Sequence, residues 1–208
     1  MTRKPAAVEV CPSISFTRDT LRAAIVRTLP KEDGEFFILG DYALTCNPKS
    51  DHSAFVLVKI VMIQGVRNLF VIDCQMDKWD ATELAYQLVM FALRNQKKYG
   101  APIKIRIERL AMYQLLDAEV SRQLRKRAPG QALNITWFKT DKKKNAKPLR
   151  IAKFQKLLET NRAHFLFGCG YLDEIFEQFC QFTAVKGNHC RKDDAADCCG
   201  MAAELIAN

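Results

Sequence analysis

The chain has 208 residues, 49% of them apolar, with a formal net charge of +9 and a pI near 9.2. That length supports one substantial domain with a full core, and no run of about 18 apolar residues is present to span a membrane. The start, Met1-Thr2-Arg3-Lys4-Pro5, is charged but no apolar stretch follows it, so it does not read as a secretory leader and the expected product is soluble and intracellular.

Residues 1–33 read as an N-terminal extension or linker. A helix over 17–29 is predicted, with Leu21, Ile25 and Leu29 on one stripe and Pro30 as its stop. From residue 34 onward the pattern is that of one domain. Residues 36–41 form a short apolar run ending in Asp41. Residues 53–63 and 68–74 are rich in β-branched and aromatic side chains and flank a turn at Gly65, which predicts an antiparallel meander of three strands. Apolar residues at helical spacing over 81–99 (Leu84, Leu88, Phe91, Ala92) precede Gly100 and Pro102. Residues 103–108 alternate strictly and end in Glu108. A helix over 112–127, a fifth strand over 135–138 and helices over 150–160, 172–182 and 195–207 complete the chain. This order predicts an α/β fold around a five-stranded mixed sheet flanked by helices. No G-x-x-x-x-G-K-[ST] loop occurs, which excludes nucleotide hydrolysis by that route.

Acids fall at informative places. Asp193, Asp194 and Asp197 lie within the segment Arg191-Lys192-Asp193-Asp194-Ala195-Ala196-Asp197, at the start of the last predicted helix. Residues three apart share a helix face, so Asp194 and Asp197 project together and repel each other unless a cation lies between them. A helix N-terminus also favours acids through its dipole, so an N-cap with a polar first turn accounts for the same residues. If the strands ending in Asp41 and Glu108 are neighbours, carboxylates from three distant segments converge. Hard divalent cations take such oxygen donors, and two of them roughly 3.5 to 4 Å apart clamp the attacking and leaving oxygens of a phosphodiester. Asp51 is read as an acid at the margin of such a site, either an outer ligand or a group supporting the ligands, or as a turn residue.

The eight cysteines include no C-x-x-C pair, and zinc through His189, Cys190 and Cys198 matches no common spacing, so buried reduced thiols are expected. The basic residues cluster in two places. One runs from Lys139 to Lys156 and includes Lys142, Lys143, Lys144, Lys147, Arg150 and Lys153; the other comprises Arg122, Arg125, Lys126 and Arg127. Both have the character of a phosphate-binding footprint on a polyanion.

Taken in order, Leu39-Gly40-Asp41-Tyr42-Ala43, Lys49-Ser50-Asp51-His52-Ser53-Ala54, Ile105-Arg106-Ile107-Glu108, Lys147 through Arg150-Ile151-Ala152, and the Asp193 to Asp197 cluster resemble the C-terminal nuclease domain of the viral (phage-type) large terminase subunit. The motifs span residues 35–205. The resemblance implies a ribonuclease H-like fold and a metal-dependent endonuclease that cuts double-stranded DNA concatemers during viral genome packaging. It implies Asp41, Glu108 and Asp194 as catalytic metal ligands, with Asp193 or Asp197 completing a site for two Mg²⁺ or Mn²⁺ ions. In such an enzyme the basic run predicts contacts to the DNA backbone by Lys142, Lys143, Lys144, Lys147, Arg150 and Lys153. The implied partners are double-stranded DNA, a terminase ATPase domain, the small terminase subunit and the portal, without a membrane, in the host cytoplasm or nucleus. Position 192 is Lys where many members of that family carry His. The alternatives are a junction-resolving or transposase-like nuclease of the same fold, and a non-catalytic assembly module of a packaging motor.

Overall fold

A computed structural model describes residues 14–43, 52–110, 113–139, 146–182 and 193–206. Asp51, Lys142, Lys143 and Lys144, and with them His189 and Cys190, lie outside the described residues.

Thr17 caps the first helix, α1 (Arg18–Ala23), its hydroxyl accepting from Thr20 N at 3.1 Å. The helix ends well short of residue 29 because the chain turns into a two-residue strand, β1 (Ile25–Val26). Next come β2 (Gly34–Asp41), β3 (Ser53–Ile63) and β4 (Val66–Asp77). Gln64 and Gly65, both at positive φ, join β3 to β4 with Ile63 opposite Val66, the two-residue hairpin loop whose twist matches its strands. Helix α2 (Ala81–Tyr99) starts on Asp80, which accepts from Thr82 N and Glu83 N, and ends on left-handed Gly100. Then follow β5 (Ile103–Glu108), α3 (Tyr113–Arg127), β6 (Asn134–Phe138), α4 (Ala146–Glu159), β7 (Ala163–Leu166), α5 (Leu172–Gln181) and α6 (Asp194–Ile206).

Among the described residues the sheet has seven strands in the order β1-β7-β4-β3-β2-β5-β6, not the five expected. The two additions are β1 and β7, parallel to each other, with β7 extending the meander beyond β4. The expected meander is present: β2, β3 and β4 are antiparallel. The strands ending in Asp41 and Glu108 are parallel neighbours, with Gly40 opposite Ile107.

Each face of the sheet carries its own core. One, including Phe36, Ile38, Ile103, Ile105 and Ile107, packs beneath α2 and α3. The other, including Phe37, Leu39, Val56 and Phe165, packs beneath α4, α5 and α6. In that second core Cys74, Cys169, Cys198 and Cys199 are buried free thiols, as the sequence leads one to expect, and burial pushes the Cys169 thiol up to about 12.

Candidate active site

Strand alternation decides which way the terminal acids point. Phe37 and Leu39 face the α4–α6 core, so Asp41, two residues on, falls on the same side. On β5 the isoleucines at 103, 105 and 107 face the opposite core, which puts Lys104, Arg106 and Glu108 on the α4–α6 side. Helix α6 packs across β2, β3 and β4 on that side and brings its N-terminus to the strand ends. Asp193 stands just before it, Asp194 opens it, and Asp197 follows one turn later with its N–H donating to the Asp193 carbonyl at 2.8 Å.

Helix α6 is capped from another element. The Gln178 side-chain oxygen on α5 accepts from Ala195 N and Ala196 N at 3.0 and 3.1 Å. A neutral amide thereby satisfies two backbone donors that a helix start leaves open. The carboxylate oxygen of Asp193 is turned instead to a cation.

That cation is Lys147, whose Nζ donates to Asp193 Oδ1 at 2.7 Å and stands 3.8 Å from Asp197 Oδ2. Arg150, one turn along α4, donates to Asp197 Oδ2 at 2.7 Å and approaches Glu108 Oε2 to 3.9 Å. Gly200 allows this arrangement. A Cβ there would meet Arg150 Cβ at 3.0 Å and the Arg150 carbonyl carbon at 3.1 Å, so α4 and α6 touch nearly backbone to backbone.

The charges are deeply placed. Asp193, Asp194 and Asp197 are buried, and so is Arg150. Burial raises the Asp41 carboxyl above its ordinary value, with Lys147 pulling it down and Glu108 pushing it up. Burial likewise lifts Asp197 to about 7, outweighing Lys147 and Arg150. For Lys147 burial acts to lower the pKa, but Asp197, Asp193 and Asp41 outweigh it and hold the ammonium above the ordinary lysine value. Asp41, Glu108, Asp193 and Asp197 thus share two cations.

The donor set suits a hard divalent ion: carboxylate oxygens from two strand ends and a helix start, with Asp197 Oδ1 buried and without a hydrogen bond. Among the described residues no three Asp, Glu, His or Cys side chains stand close enough to enclose an ion, since Lys147 and Arg150 are interleaved between them. The donor type suits an ion, but the present arrangement does not enclose one, and its entry would require the Lys147 ammonium to leave Asp193.

The structure brings together Asp41, Glu108, Asp193 and Asp197, and sets Asp194 beside them on α6. Arg150, expected against a DNA backbone, is instead 3% exposed and committed to Asp197. Lys153 stays half-exposed at 3.1 Å from Glu204. The Arg122–Arg127 cluster sits on α3, across the sheet from the acids, so the two basic clusters do not form one footprint. Gln178 and Gly200 were not singled out from the sequence. Gly200 had a readable signal, a glycine inside a helix of small residues, whereas Gln178 had none.

No family model matches the chain, and no curated protein matches it by sequence. Solved structures do match. The human cytomegalovirus terminase nuclease domain superposes with a TM-score of 0.69 at 12% identity, over 91% of this chain and 94% of that one. Its Mn-soaked, inhibitor-bound form gives 0.68 at 11% identity over the same shares. The P22 large terminase nuclease domain gives 0.54 at 10% identity, over 92% and 89%. The chain thus has the fold of the terminase nuclease domains, the ribonuclease H-like architecture that its motifs imply.

Proposed function

We propose that this chain is a divalent-metal-dependent endonuclease that cuts double-stranded DNA during viral genome packaging. The observation that carries the reading is the meeting of Asp41 and Glu108, at the ends of adjacent parallel strands, with Asp193 and Asp197 at the start of α6, around Lys147 and Arg150. Buried like charges of this number are costly unless a site uses them. The fold shared with terminase nuclease domains, one of them solved after a Mn soak, supports the same chemistry.

In this reading Asp41, Glu108, Asp193 and Asp194 would hold Mg²⁺ or Mn²⁺, two ions per site. When bound, such ions polarise phosphoryl oxygens and supply a water nucleophile at neutral pH. The chain's own groups do the positioning. Arg150 fixes Asp197 and so the first turn of α6, while Gln178 holds the same turn from α5. Lys147, half-exposed among the acids, is the donor nearest an incoming phosphate once Asp193 is taken by an ion. An ATPase motor, the small terminase subunit and the portal are the partners that belong with this role.

One observation favours a second reading. Lys147 and Arg150 already neutralise part of the cluster, as they would in a purely structural core of an assembly module. Supercoiled plasmid incubated with Mn²⁺, Mg²⁺ or EDTA separates the two. Metal-dependent nicking and linearisation, lost in Asp41→Ala with DNA binding kept, is expected. Absence of cutting in every condition, with no metal bound by calorimetry, would establish the assembly reading instead.

A further inference from the structure

Helix α6 covers β2, β3 and β4, and beyond its edge the same face of the outer strands β5 and β6 carries polar side chains. Strand pairing sets Lys104 beside Asn134 and Arg106 beside Thr136, and Lys104, Asn134 and Thr136 are exposed. Their alternate neighbours, Ile135 and Trp137, pack into the opposite core, so this polar face is a consequence of the strand period. The Arg106 guanidinium rests over the Phe138 ring at 5.4 Å and, among the described residues, has no carboxylate partner. It lines a pocket together with Leu39, Phe138, Met201, Lys153 and Glu204.

This face leads directly into the acids. Arg106 precedes Glu108 by two residues on one strand, about 7 Å, which is the axial rise of roughly two nucleotides of a DNA strand. Leu39 stands in the same relation to Asp41, and Lys153 lies one helical turn from Arg150. The chemistry is that of a phosphate binder: a planar guanidinium over an aromatic ring, an ammonium, a hydroxyl and a carboxamide. The two acids present are already paired, Glu35 with Lys104 and Glu204 with Lys153. The Lys153–Glu204 pair is half-exposed, so exchanging Glu204 for a phosphate costs little.

We propose that the open face of β5 and β6 is a track for one strand of duplex DNA leading to the acidic site, with Arg106 and Lys153 holding a backbone phosphate and Thr136 and Asn134 hydrogen-bonding beside it. The track rests on the nuclease reading, which supplies the ligand. Because the contacts are to the backbone, it gives affinity and register without sequence preference.

The test is fluorescence anisotropy of a labelled mixed-sequence duplex with the full chain, in Ca²⁺ and in EDTA across a salt series, beside plasmid cutting in Mn²⁺. Arg106→Ala and Lys153→Ala should each weaken binding roughly tenfold and reduce the slope of log affinity against log salt by about 1. Arg106→Lys should restore the slope. Arg125→Ala, on α3 across the sheet, should change neither quantity. Wild-type protein that binds and cuts DNA while Arg106→Ala keeps its affinity and slope would overturn the track and leave the nuclease standing. Wild-type protein that neither binds nor cuts would overturn both. A melting temperature for each variant separates loss of contact from loss of fold.

Discussion

The Arg150 guanidinium donates to Asp197 Oδ2 at 2.7 Å, with both side chains under 5% exposed. The pair ties α4 to α6 directly behind the acids that end β2 and β5. Its other atoms are poorly served: Arg150 Nε and one terminal nitrogen, and Asp197 Oδ1, are buried without hydrogen bonds. Such a pair adds little net stability over apolar residues of the same shape, yet breaking it strands a charge. Arg150→Ala should therefore destabilise the protein by about 3–5 kcal/mol, and replacing both residues with apolar ones of similar volume should recover most of that. Denaturant unfolding of the two single variants and the double variant checks this, and purely additive losses would refute it.

The pH dependence has a definite sign. Asp197 has a folded-state pKa of about 7, raised by burial, against roughly 3.9 for an unfolded aspartate. Between those values the folded chain keeps a proton that the unfolded chain has released. The contribution of Asp197 to stability is thus complete below about pH 4 and is lost as pH rises through about 7. Asp41, raised in the same direction by burial, adds to the trend. Metal-free protein should unfold at lower denaturant concentration near pH 8 than near pH 5, and Asp197→Asn should flatten the difference. A midpoint that rises with pH in the wild type would contradict the assignment.

Divalent ions should stabilise the fold by mass action. An ion present at about 100 times its dissociation constant adds roughly 2.7 kcal/mol, provided it binds only the folded state. A rise in melting temperature with Mn²⁺ over EDTA is expected, and Asp41→Asn should abolish it. Lys147 is bonded to Asp193 at 2.7 Å, so on the proposed metal reading it would compete with the ion, and Lys147→Met should enlarge the metal-dependent shift even where it impairs cutting. An unchanged or smaller shift in that variant would show that the ammonium does not stand in the ion's way.

Gly200 tests the contact between helices. A Cβ at this position meets Arg150 Cβ at 3.0 Å and backbone atoms of Arg150 and Ile151 at 3.1 and 3.2 Å, and backbone cannot swing aside. Gly200→Val should cost about 1–3 kcal/mol by overpacking and displace Arg150 from Asp197. Chemical denaturation measures the first effect, and weakened metal-dependent stabilisation reports the second. A neutral Gly200→Val would mean that α4 moves freely on α6.

Much of this protein follows from local rules written into the chain. The meander, the helix starting on Asp80 and ending on Gly100, and the acids closing β2 and β5 are consequences of strand alternation, side-chain capping and glycine's tolerance of positive φ. Each depends on residues a few positions apart, so each is legible in the sequence. Strands β1 and β7 escape because two and four residues carry no period to read; only their pairing with one another and with β4 makes them strands.

The site divides the same way. That Asp41, Glu108 and the acids of α6 belong together could be argued from their places at element ends. How they are held could not. Lys147 and Arg150 read as part of a basic run with the character of a phosphate-binding footprint, and only the docking of α4 on α6 through Gly200 turns them inward between the carboxylates. The cap from Gln178 to α6 likewise joins residues 17 and 18 positions apart across two helices. Burial then shifts the charges that this packing assembles. Residue type and spacing determine which groups can do the chemistry; desolvation and partner choice, which exist only once distant segments pack, decide the state in which those groups wait.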